Sequence, residues 1–348
     1  MYLRVLENYK VLMENRILVT GASGFIGSFL VEEGLAQGMQ VWAGVRKNSS
    51  RKYLQDKRIH FAELDFTDSD RLASQLLEHK EEHGGWDYII HCAGVTKSLD
   101  RAGFEIGNYR ATCHFIETLK KLDMVPVNFI FVSSLSIFGP IREKDYSSIC
   151  ETDTPVPNTA YGISKLNTEK YLQSLNDFPY VIFRPTGVYG PRERDYFLMV
   201  KSISNHVDFV AGLKRQDITF IYVKDLAQAI YLAINKGVKY RSYFVSDGDV
   251  YNSRTFSDLI RKELGNPWMI RFVCPLFMLK VISYVVDFFS HLTRKPCTLN
   301  RDKYNIMKQR NWRCDINPVI KELGYKPEYN LERGVKETVS WYKKEGWV

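Results

Sequence analysis

Short apolar runs alternate with longer amphipathic stretches along the first half of the chain. The apolar runs predict strands at Ile17–Val19, Gln40–Val45, Ile59–Leu64, Tyr88–Cys92 and Asn128–Val132. The longer stretches predict helices at Phe25–Gln37, Thr67–His83, Asn108–Leu122 and Tyr161–Asn176. Strands that alternate with helices at this spacing indicate βαβ units. The predicted fold is therefore α/β, with a doubly wound parallel sheet covered on both faces.

The regular alternation stops after Pro191. Residues 195–200 are predicted to leave the sheet, residues 218–223 to return as a strand before a helix over 224–235, and residues 242–245 to add another strand. This pattern predicts two domains. Residues 1–189 plus 217–245 are predicted to form a Rossmann-type domain, with 1–15 as an N-terminal extension unless Met13 is the natural start. Residues 190–216 plus 246–348 form a smaller lobe, and the cleft between them takes the substrate.

The first predicted strand runs into Gly21, Gly24 and Gly27, at G-x-x-G-x-x-G spacing, and Gly38 ends the following helix. Glycines at this position allow a sharp turn and let backbone N–H groups approach a pyrophosphate without a Cβ in the way. A purely structural turn is the alternative. The strand before the motif and the helix after it favour a dinucleotide held at the helix N-terminus.

The second predicted strand ends at Arg46, with no carboxylate nearby in sequence. An acidic residue at this point would bind the ribose hydroxyl of NAD, whereas a guanidinium suits the additional phosphate of NADP. NADP(H) is therefore favoured over NAD(H). The alternative is an arginine that only faces solvent.

Hydroxyl side chains follow the fifth predicted strand at Ser133 and Ser134, where open parallel sheets bind ligands. Tyr161 and Lys165 are four residues apart at the start of a predicted helix and share one face. An ammonium there is expected to lower the pKa of the tyrosine and to hold a ribose. A serine bonded to its own backbone is the alternative for Ser134.

Composition narrows the function further. The formal net charge is +8 and the pI is about 9.0, which favours anionic ligands, but no dense basic run points to nucleic acid. The six cysteines form no C-x-x-C pair and no metal-ligand spacing, so no metal is predicted. A reduced, cytoplasmic protein with mostly buried thiols is expected, and the charged N-terminal stretch does not read as a signal peptide.

One segment, Phe272–Leu292, predicts a helix that is apolar around most of its circumference. Its polar residues form a narrow stripe of Lys280, Ser283, Asp287 and Ser290. Such a helix needs to bury most of its surface. The lobe core is the favoured place, followed in order by a dimer contact, an apolar substrate and a membrane surface.

These motifs together resemble the extended short-chain dehydrogenase/reductase superfamily, in the group called NAD-dependent epimerase/dehydratase. The resemblance covers nearly the whole chain from Arg16 onward. It rests on TGASGFIG at 20–27, HCAG at 91–94, SSLSIFG at 133–139, YGISK at 161–165 and RPTGVYGP at 184–191.

The resemblance implies roles for individual residues. Tyr161 would be the acid/base, Lys165 its electrostatic partner, and Ser134 the hydroxyl that polarises the substrate oxygen, while Asn108 would buttress the site unless it is only a helix cap. Asp65 and Phe66 would flank the adenine, Ala93 and Gly94 the ribose, and Pro185 and Val188 the nicotinamide. The full set implied to bind the cofactor is Gly21, Ser23, Gly24, Phe25, Ile26, Gly27, Arg46, Asp65, Phe66, Ala93, Gly94, Tyr161, Lys165, Pro185 and Val188.

Two departures from the family pattern bear on the substrate. Many nucleotide-sugar members carry Phe-Asn where this chain has Pro185 and Thr186, and an arginine where it has Ile218, although Lys214 and Arg215 are potential substitutes. The chain is closer to the dihydroflavonol-reductase-like and 3β-hydroxysteroid-dehydrogenase-like branch. An NAD(P)-dependent oxidoreductase of a small molecule is expected, a nucleotide-sugar epimerase or dehydratase is the alternative, and a non-catalytic sensor is weaker. A homodimer rests on the resemblance alone.

Overall fold

A parallel sheet lies at the centre of the structure, a computed structural model that describes residues 15–293, 297 and 299–348. Within these residues the central sheet has seven strands in the order β10-β6-β5-β4-β1-β2-β3, and every pair is parallel. The order reverses at β1, which lies between β2 and β4, as in sheets that bind dinucleotides. The predicted α/β fold is confirmed. The strands are β1 (Arg16–Thr20), β2 (Gln40–Val45), β3 (His60–Glu63), β4 (Tyr88–His91), β5 (Asn128–Val132), β6 (Tyr180–Pro185), β7 (Gly187–Tyr189), β8 (Val207–Ala211), β9 (Phe220–Tyr222), β10 (Arg241–Val245) and β11 (Ile270–Cys274).

Helices cover both faces of this sheet. They are α1 (Phe25–Ala36), α2 (Ser69–His83), α3 (Arg101–Phe104), α4 (Ala111–Lys121), α5 (Ala160–Ser174), α6 (Asp195–Ser204), α7 (Val223–Asn235), α8 (Thr255–Glu263), α9 (Leu276–Thr293), α10 (Arg301–Lys308), α11 (Asn317–Leu323) and α12 (Leu331–Lys344). Side chains of α1 and α7 pack on one face, and side chains of α2, α4 and α5 pack on the other. Burial on both faces is why the central strands are apolar runs without alternation.

The helix predicted to start at Asn108 starts earlier, so that boundary is wrong. Helix α3 begins at Arg101, where the Asp100 side chain accepts a hydrogen bond from the Gly103 N–H at 2.8 Å. A π-helical turn, Glu105–Arg110, then joins α3 to α4. The capping aspartate was the available sequence signal, and Asn108 lies inside a continuous helical segment, where it is not a cap.

The strand predicted at 218–223 also needs correction. It exists as β9, but it pairs with β7 in a separate two-stranded sheet and does not join the central one. Strands β8 and β11 pair in parallel in another small sheet. Around β9, Tyr189, Tyr222 and Phe256 form an aromatic core with α12. The division into two domains at 189, 217 and 245 stays a prediction. Of the N-terminal extension predicted for 1–15, residues 1–14 lie outside the described residues.

Burial of the apolar segment in the lobe core is wrong. Its first residues form β11, and helix α9 starts only at Leu276. On α9 the polar residues Ser283 and Ser290 are buried, whereas Phe277 is 70% exposed and Phe288 is 65% exposed. No helix in the described part of the chain is both long and apolar enough to cross a membrane.

The expectation of mostly buried thiols is also wrong. Cys314 is buried, and the other five cysteines are partly exposed. A single cysteine is small enough to sit at the margin of the core, so sequence alone did not distinguish these positions.

A buried ion pair links α5 to the central sheet. Glu169 on α5 accepts from the Arg184 guanidinium of β6 at 2.6 Å, and the two side chains are 1% and 7% exposed. The Ser133 hydroxyl also donates to the Glu169 carboxylate. Removal of either charge leaves the other one desolvated and unpaired.

Replacement of Glu169 by alanine is therefore expected to lower the free energy of unfolding by about 3–5 kcal/mol, measured by urea denaturation. The matched control is Lys262→Ala, which breaks the exposed Lys262–Glu332 pair. That change should cost less than about 1 kcal/mol. Equal losses of unfolding free energy in the two variants would show that the buried pair stabilises the protein no more than the exposed pair does.

Candidate active site

The turn between β1 and α1 accepts only glycine at two points. Gly21 has φ +67°, and a Cβ there would lie 2.8 Å from the Ala93 backbone nitrogen. A Cβ at Gly27 would lie 2.2 Å from the Gly21 carbonyl oxygen. These contacts fold the start of α1 tightly against the turn. Among the described residues no side chain caps the α1 N-terminus, so its first N–H groups are available to an anionic ligand.

A cavity opens directly above this turn, at the carboxyl ends of β1, β2 and β4. Arg46 and Ser49 lie at its rim beyond β2, and the Ser49 hydroxyl accepts from the Arg46 N–H at 3.0 Å. Of the residues predicted for the cofactor, Gly21, Ser23, Gly24, Arg46, Phe66, Ala93 and Gly94 line this cavity.

A second cavity adjoins the first and shares Cys92 and Gly94 with it. The predicted residues that line the second cavity are Ile26, Gly94, Ser134, Tyr161, Lys165, Pro185 and Val188. The structure thus gathers around one continuous cleft residues that span 164 positions between Gly24 and Val188 in the sequence. Phe25, Gly27 and Asp65 line neither cavity. Gly27 packs behind the turn, and the Asp65 carboxylate accepts from the Thr67 hydroxyl at 2.6 Å.

The predicted acid/base tyrosine and serine meet in the second cavity. Both residues line this cavity, and the Ser134 side chain opposes the rise that burial causes in the pKa of the Tyr161 phenol. Ser134 also accepts from the Ser136 N–H at 3.2 Å, so it caps the short 3₁₀ turn at Leu135–Ile137 as well. Ser133 has a different environment, because its hydroxyl donates to the buried Glu169. The geometry therefore distinguishes the two adjacent serines.

Lys165 lies below Tyr161 on the same face of α5. Its ammonium donates to the Val132 carbonyl oxygen at 2.8 Å and lies 5.9 Å from the centre of the Tyr161 ring. Burial lowers the pKa of Lys165 to about 8, against opposing effects of Cys92 and Glu169. Burial, with a smaller effect of Cys92, raises the pKa of Tyr161, and Ser134 acts against that rise. The net pKa of Tyr161 is therefore raised and not lowered as expected, because desolvation outweighs the stabilisation of the phenolate.

Asn108 connects the loop after β4 to the catalytic helix. Its side-chain oxygen accepts from the Val95 N–H at 2.6 Å, and its amide donates to the Ser164 hydroxyl at 2.9 Å. The Asn108 side chain is buried, so these bonds replace its lost hydration. The residue holds the rim of the cleft against α5.

Sequence reasoning missed three polar contributions to the cleft. His91 bonds Thr20 and Thr112, and burial lowers its pKa to about 3, so it is a neutral structural residue. The Thr186 hydroxyl is buried at the second cavity without a hydrogen-bond partner in the described structure. Asp302 of α10 accepts from the Ala160 N–H at 2.7 Å, at the start of the Tyr161 helix. The replacement of the family's Phe-Asn by Pro185 and Thr186 was a sequence signal for Thr186. No local pattern indicated a role for Asp302.

The cleft fits a dinucleotide on physical grounds. Gly21 and Gly24 line the first cavity without a side chain, beside the start of α1, and the Thr186 hydroxyl, unpartnered among the described residues, offers a hydrogen bond inside the second cavity. A free cationic side chain, Arg46, lies at the far end without an ion pair among the described residues. The two cavities match a ligand with a phosphate-bearing end and a reactive end.

Comparison with known proteins relates the chain to one enzyme family. Residues 17–246 match the NAD dependent epimerase/dehydratase family. A putative UDP-glucose 4-epimerase of Methanocaldococcus jannaschii is 26% identical over 342 residues, which cover 94% of this chain and 98% of that protein. A sterol-4-alpha-carboxylate 3-dehydrogenase, decarboxylating, of Dictyostelium discoideum is 23% identical over 352 residues, 92% of this chain and 99% of that protein.

The fold also matches solved structures. The dTDP-glucose 4,6-dehydratase of Bacillus anthracis in complex with NAD superimposes with a TM-score of 0.75 at 20% identity, covering 96% of this chain and 98% of that one. Its identity is low enough that the likeness concerns the fold alone. The family match to residues 17–246, about two thirds of the chain, is what identifies it. The chain belongs to the NAD dependent epimerase/dehydratase family of extended short-chain dehydrogenases/reductases, as its motifs predict.

Proposed function

We propose that this chain is an NADP(H)-dependent oxidoreductase that interconverts an alcohol and a ketone on a small, largely apolar substrate. The observation that carries this proposal is the single cleft in which Tyr161, Ser134 and Lys165 converge beside the glycine turn. A nicotinamide bound in the second cavity would supply or accept the hydride. The cofactor-binding set predicted from the sequence is retained as part of the proposal.

The side chains of the cleft move and stabilise the proton. In reduction, Tyr161 donates its phenolic proton to the substrate oxygen while Ser134 donates a hydrogen bond to that oxygen. The raised pKa of Tyr161 keeps the phenol protonated at neutral pH, which suits the acid role. The nearby Lys165 ammonium stabilises the phenolate that forms, because opposite charges interact strongly in a desolvated site. In oxidation the same groups act in the reverse order.

The substrate side of the cleft does not favour a diphosphate. Thr186 stands where many nucleotide-sugar enzymes of the family carry an amide, and Ile218 replaces a family arginine. Of the two potential substitutes, Arg215 is held by both oxygens of Asp217 at 2.7 Å and stacks on Tyr146. Its charge is therefore already neutralised within the chain.

Two other functions remain as alternatives. A nucleotide-sugar epimerase or dehydratase is favoured by the names of several relatives. A non-catalytic dinucleotide sensor is disfavoured because the tyrosine and the lysine are both present. A screen of UDP- and dTDP-sugars against ketones and steroid-like alcohols separates the two enzymatic classes. We also propose that the protein is a cytoplasmic homodimer. It acts on small molecules and does not bind nucleic acid.

Tyr161→Phe is expected to lower turnover at least about 100-fold, because the proton donor is lost, while cofactor binding changes little. Steady-state kinetics and fluorescence titration of the reduced cofactor provide the measurements. Tyr171→Phe, at a partly buried position of the same helix where the hydroxyl donates to Glu117, is the matched control and should retain full turnover. Turnover that survives in the Tyr161 variant would rule out its acid/base role.

Arg46→Ser is expected to weaken NADPH binding about 10–100-fold and to leave NADH binding nearly unchanged. The reason is the loss of charge-assisted hydrogen bonds to the 2′-phosphate. Parallel titrations with the two cofactors test this, and Lys47→Ser serves as the neighbouring control. Tighter binding of NADH than of NADPH by the unchanged chain would overturn the cofactor preference.

The rate of carbonyl reduction is expected to fall as the pH rises through about 8. The pKa of Lys165 is lowered to about 8, so its ammonium is present below that pH and is lost above it. Loss of the ammonium removes the stabilisation of the Tyr161 phenolate. The pH dependence of kcat/KM measures this, with Lys165→Arg as the comparison, since arginine keeps its charge. An identical alkaline limb in that variant would assign the titration to another group.

A further inference from the structure

A continuous apolar surface lies outside the cleft, on helix α9 and the adjoining β8–β11 sheet. We call it the apolar face. Leu213, just after β8, is the most exposed of its side chains, at 85%. The large exposed side chains that form it are Phe209, Leu213, Ile270, Phe272, Phe277, Met278, Val281, Ile282, Tyr284, Val285, Phe288, Phe289 and Leu292. A patch of this extent on a folded chain marks an interaction surface.

Helix α9 presents this face because its other side, with Leu279, Ser283 and Ser290, is buried against the protein. The Ser283 hydroxyl is satisfied within the helix, where it donates to the Lys280 carbonyl oxygen at 2.8 Å. Asp287 forms an ion pair with Arg301 of α10 at 2.9 Å. The orientation is the reverse of an ordinary surface helix, whose polar side faces water. The Asp287–Arg301 ion pair joins α9 to α10 on the side of α9 that faces the protein. The apolar side of α9 therefore faces outward.

The β8–β11 sheet continues the same face. Phe209 and Phe272 stack with ring centres 5.8 Å apart and point outward. Arg271, the residue before Phe272 on β11, points to the opposite side of the sheet. Its guanidinium donates to the buried Asp208 carboxylate at 2.7 Å. The Gly212 N–H donates to the Cys274 carbonyl oxygen at 2.9 Å, which joins this sheet to the start of α9. The apolar face is therefore one surface built from two elements.

The charged side chains within the apolar face indicate which partner it binds. Lys214 and Lys280 are exposed within it, and neither forms an ion pair with a described carboxylate. A symmetric contact with a second copy would place the same set of side chains opposite these lysines, and that set contains no carboxylate to pair with them. Anionic lipid headgroups, in contrast, attract lysines next to inserted apolar side chains. We propose that the apolar face docks on the surface of a lipid bilayer that contains anionic lipid.

The apolar face is also connected to the cleft. Helix α10, which pairs with α9 through Arg301, places Asp302 against the Ala160 N–H at the start of the Tyr161 helix. Asn305 of α10 donates to the Asn158 carbonyl oxygen at 2.8 Å, just before that helix. A docked chain would therefore hold its catalytic helix close to the membrane surface, within reach of an alcohol or ketone that resides there.

The test uses the full chain and vesicles of phosphatidylcholine with or without phosphatidylglycerol, separated by sedimentation. We expect binding to the anionic vesicles, weakened by salt. The double variant Phe277→Glu/Phe288→Glu should lower the partition coefficient at least about tenfold, since each buried phenylalanine contributes more than the free energy of a tenfold change. Both positions are exposed, so the melting temperature and cofactor binding should not change.

Val127→Glu is the matched control, because Val127 is 49% exposed but lies outside the apolar face. It should bind vesicles like the unchanged chain. Lys214→Gln/Lys280→Gln should weaken binding to anionic vesicles only. Vesicle binding that is absent, or unaffected by the Phe277/Phe288 changes, would overturn the proposal. A dimer that these changes convert to monomer, without vesicle binding, would assign the face to a second copy. Vesicle binding needs no turnover, so its outcome is independent of the proposed reaction.

Discussion

The close backbone approach at the first turn is the constraint on which the rest of the site depends. Gly27 lies so near the Gly21 carbonyl, and Gly21 so near Ala93, that any side chain would force the turn away from β4. With these contacts in place, Cys92 and Gly94 form the shared wall of the two cavities. The glycines therefore hold the turn against β4, beside the wall that the two cavities share.

Desolvation governs the chemistry at the other end of the cleft. Burial opposes charge on both members of the Tyr161–Lys165 pair, which raises one pKa and lowers the other. Burial favours the uncharged form of each group, although Lys165, with a pKa of about 8, still carries its charge at neutral pH. The hydrogen bond from the Lys165 ammonium to the Val132 carbonyl oxygen offsets part of the cost of that charge, and Ser134 opposes part of the rise in the pKa of Tyr161.

Helix α9 shows the opposite use of burial. Its buried side holds Leu279, Ser283 and Ser290, while most of its aromatic and aliphatic side chains remain exposed. Such a helix adds little apolar burial to the isolated chain, and the proposed contact with a lipid surface accounts for its sequence. Its link through α10 to the start of the Tyr161 helix places that contact and the catalytic cleft in one structural unit.

The sequence alone determined the parallel sheet, the glycine turn and the family, because each depends on local spacing: apolar runs, glycines three residues apart, and a tyrosine and a lysine one helical turn apart. It did not place β9 beside β7, start the α3 segment at Arg101 or orient helix α9, because pairing partners and the direction of an apolar face are set by contacts distant in sequence. The pKa of Tyr161 was misjudged for the same reason. A sequence shows the neighbouring ammonium, but the amount of water removed from both groups is decided only when the strands, the helices and the second lobe enclose them.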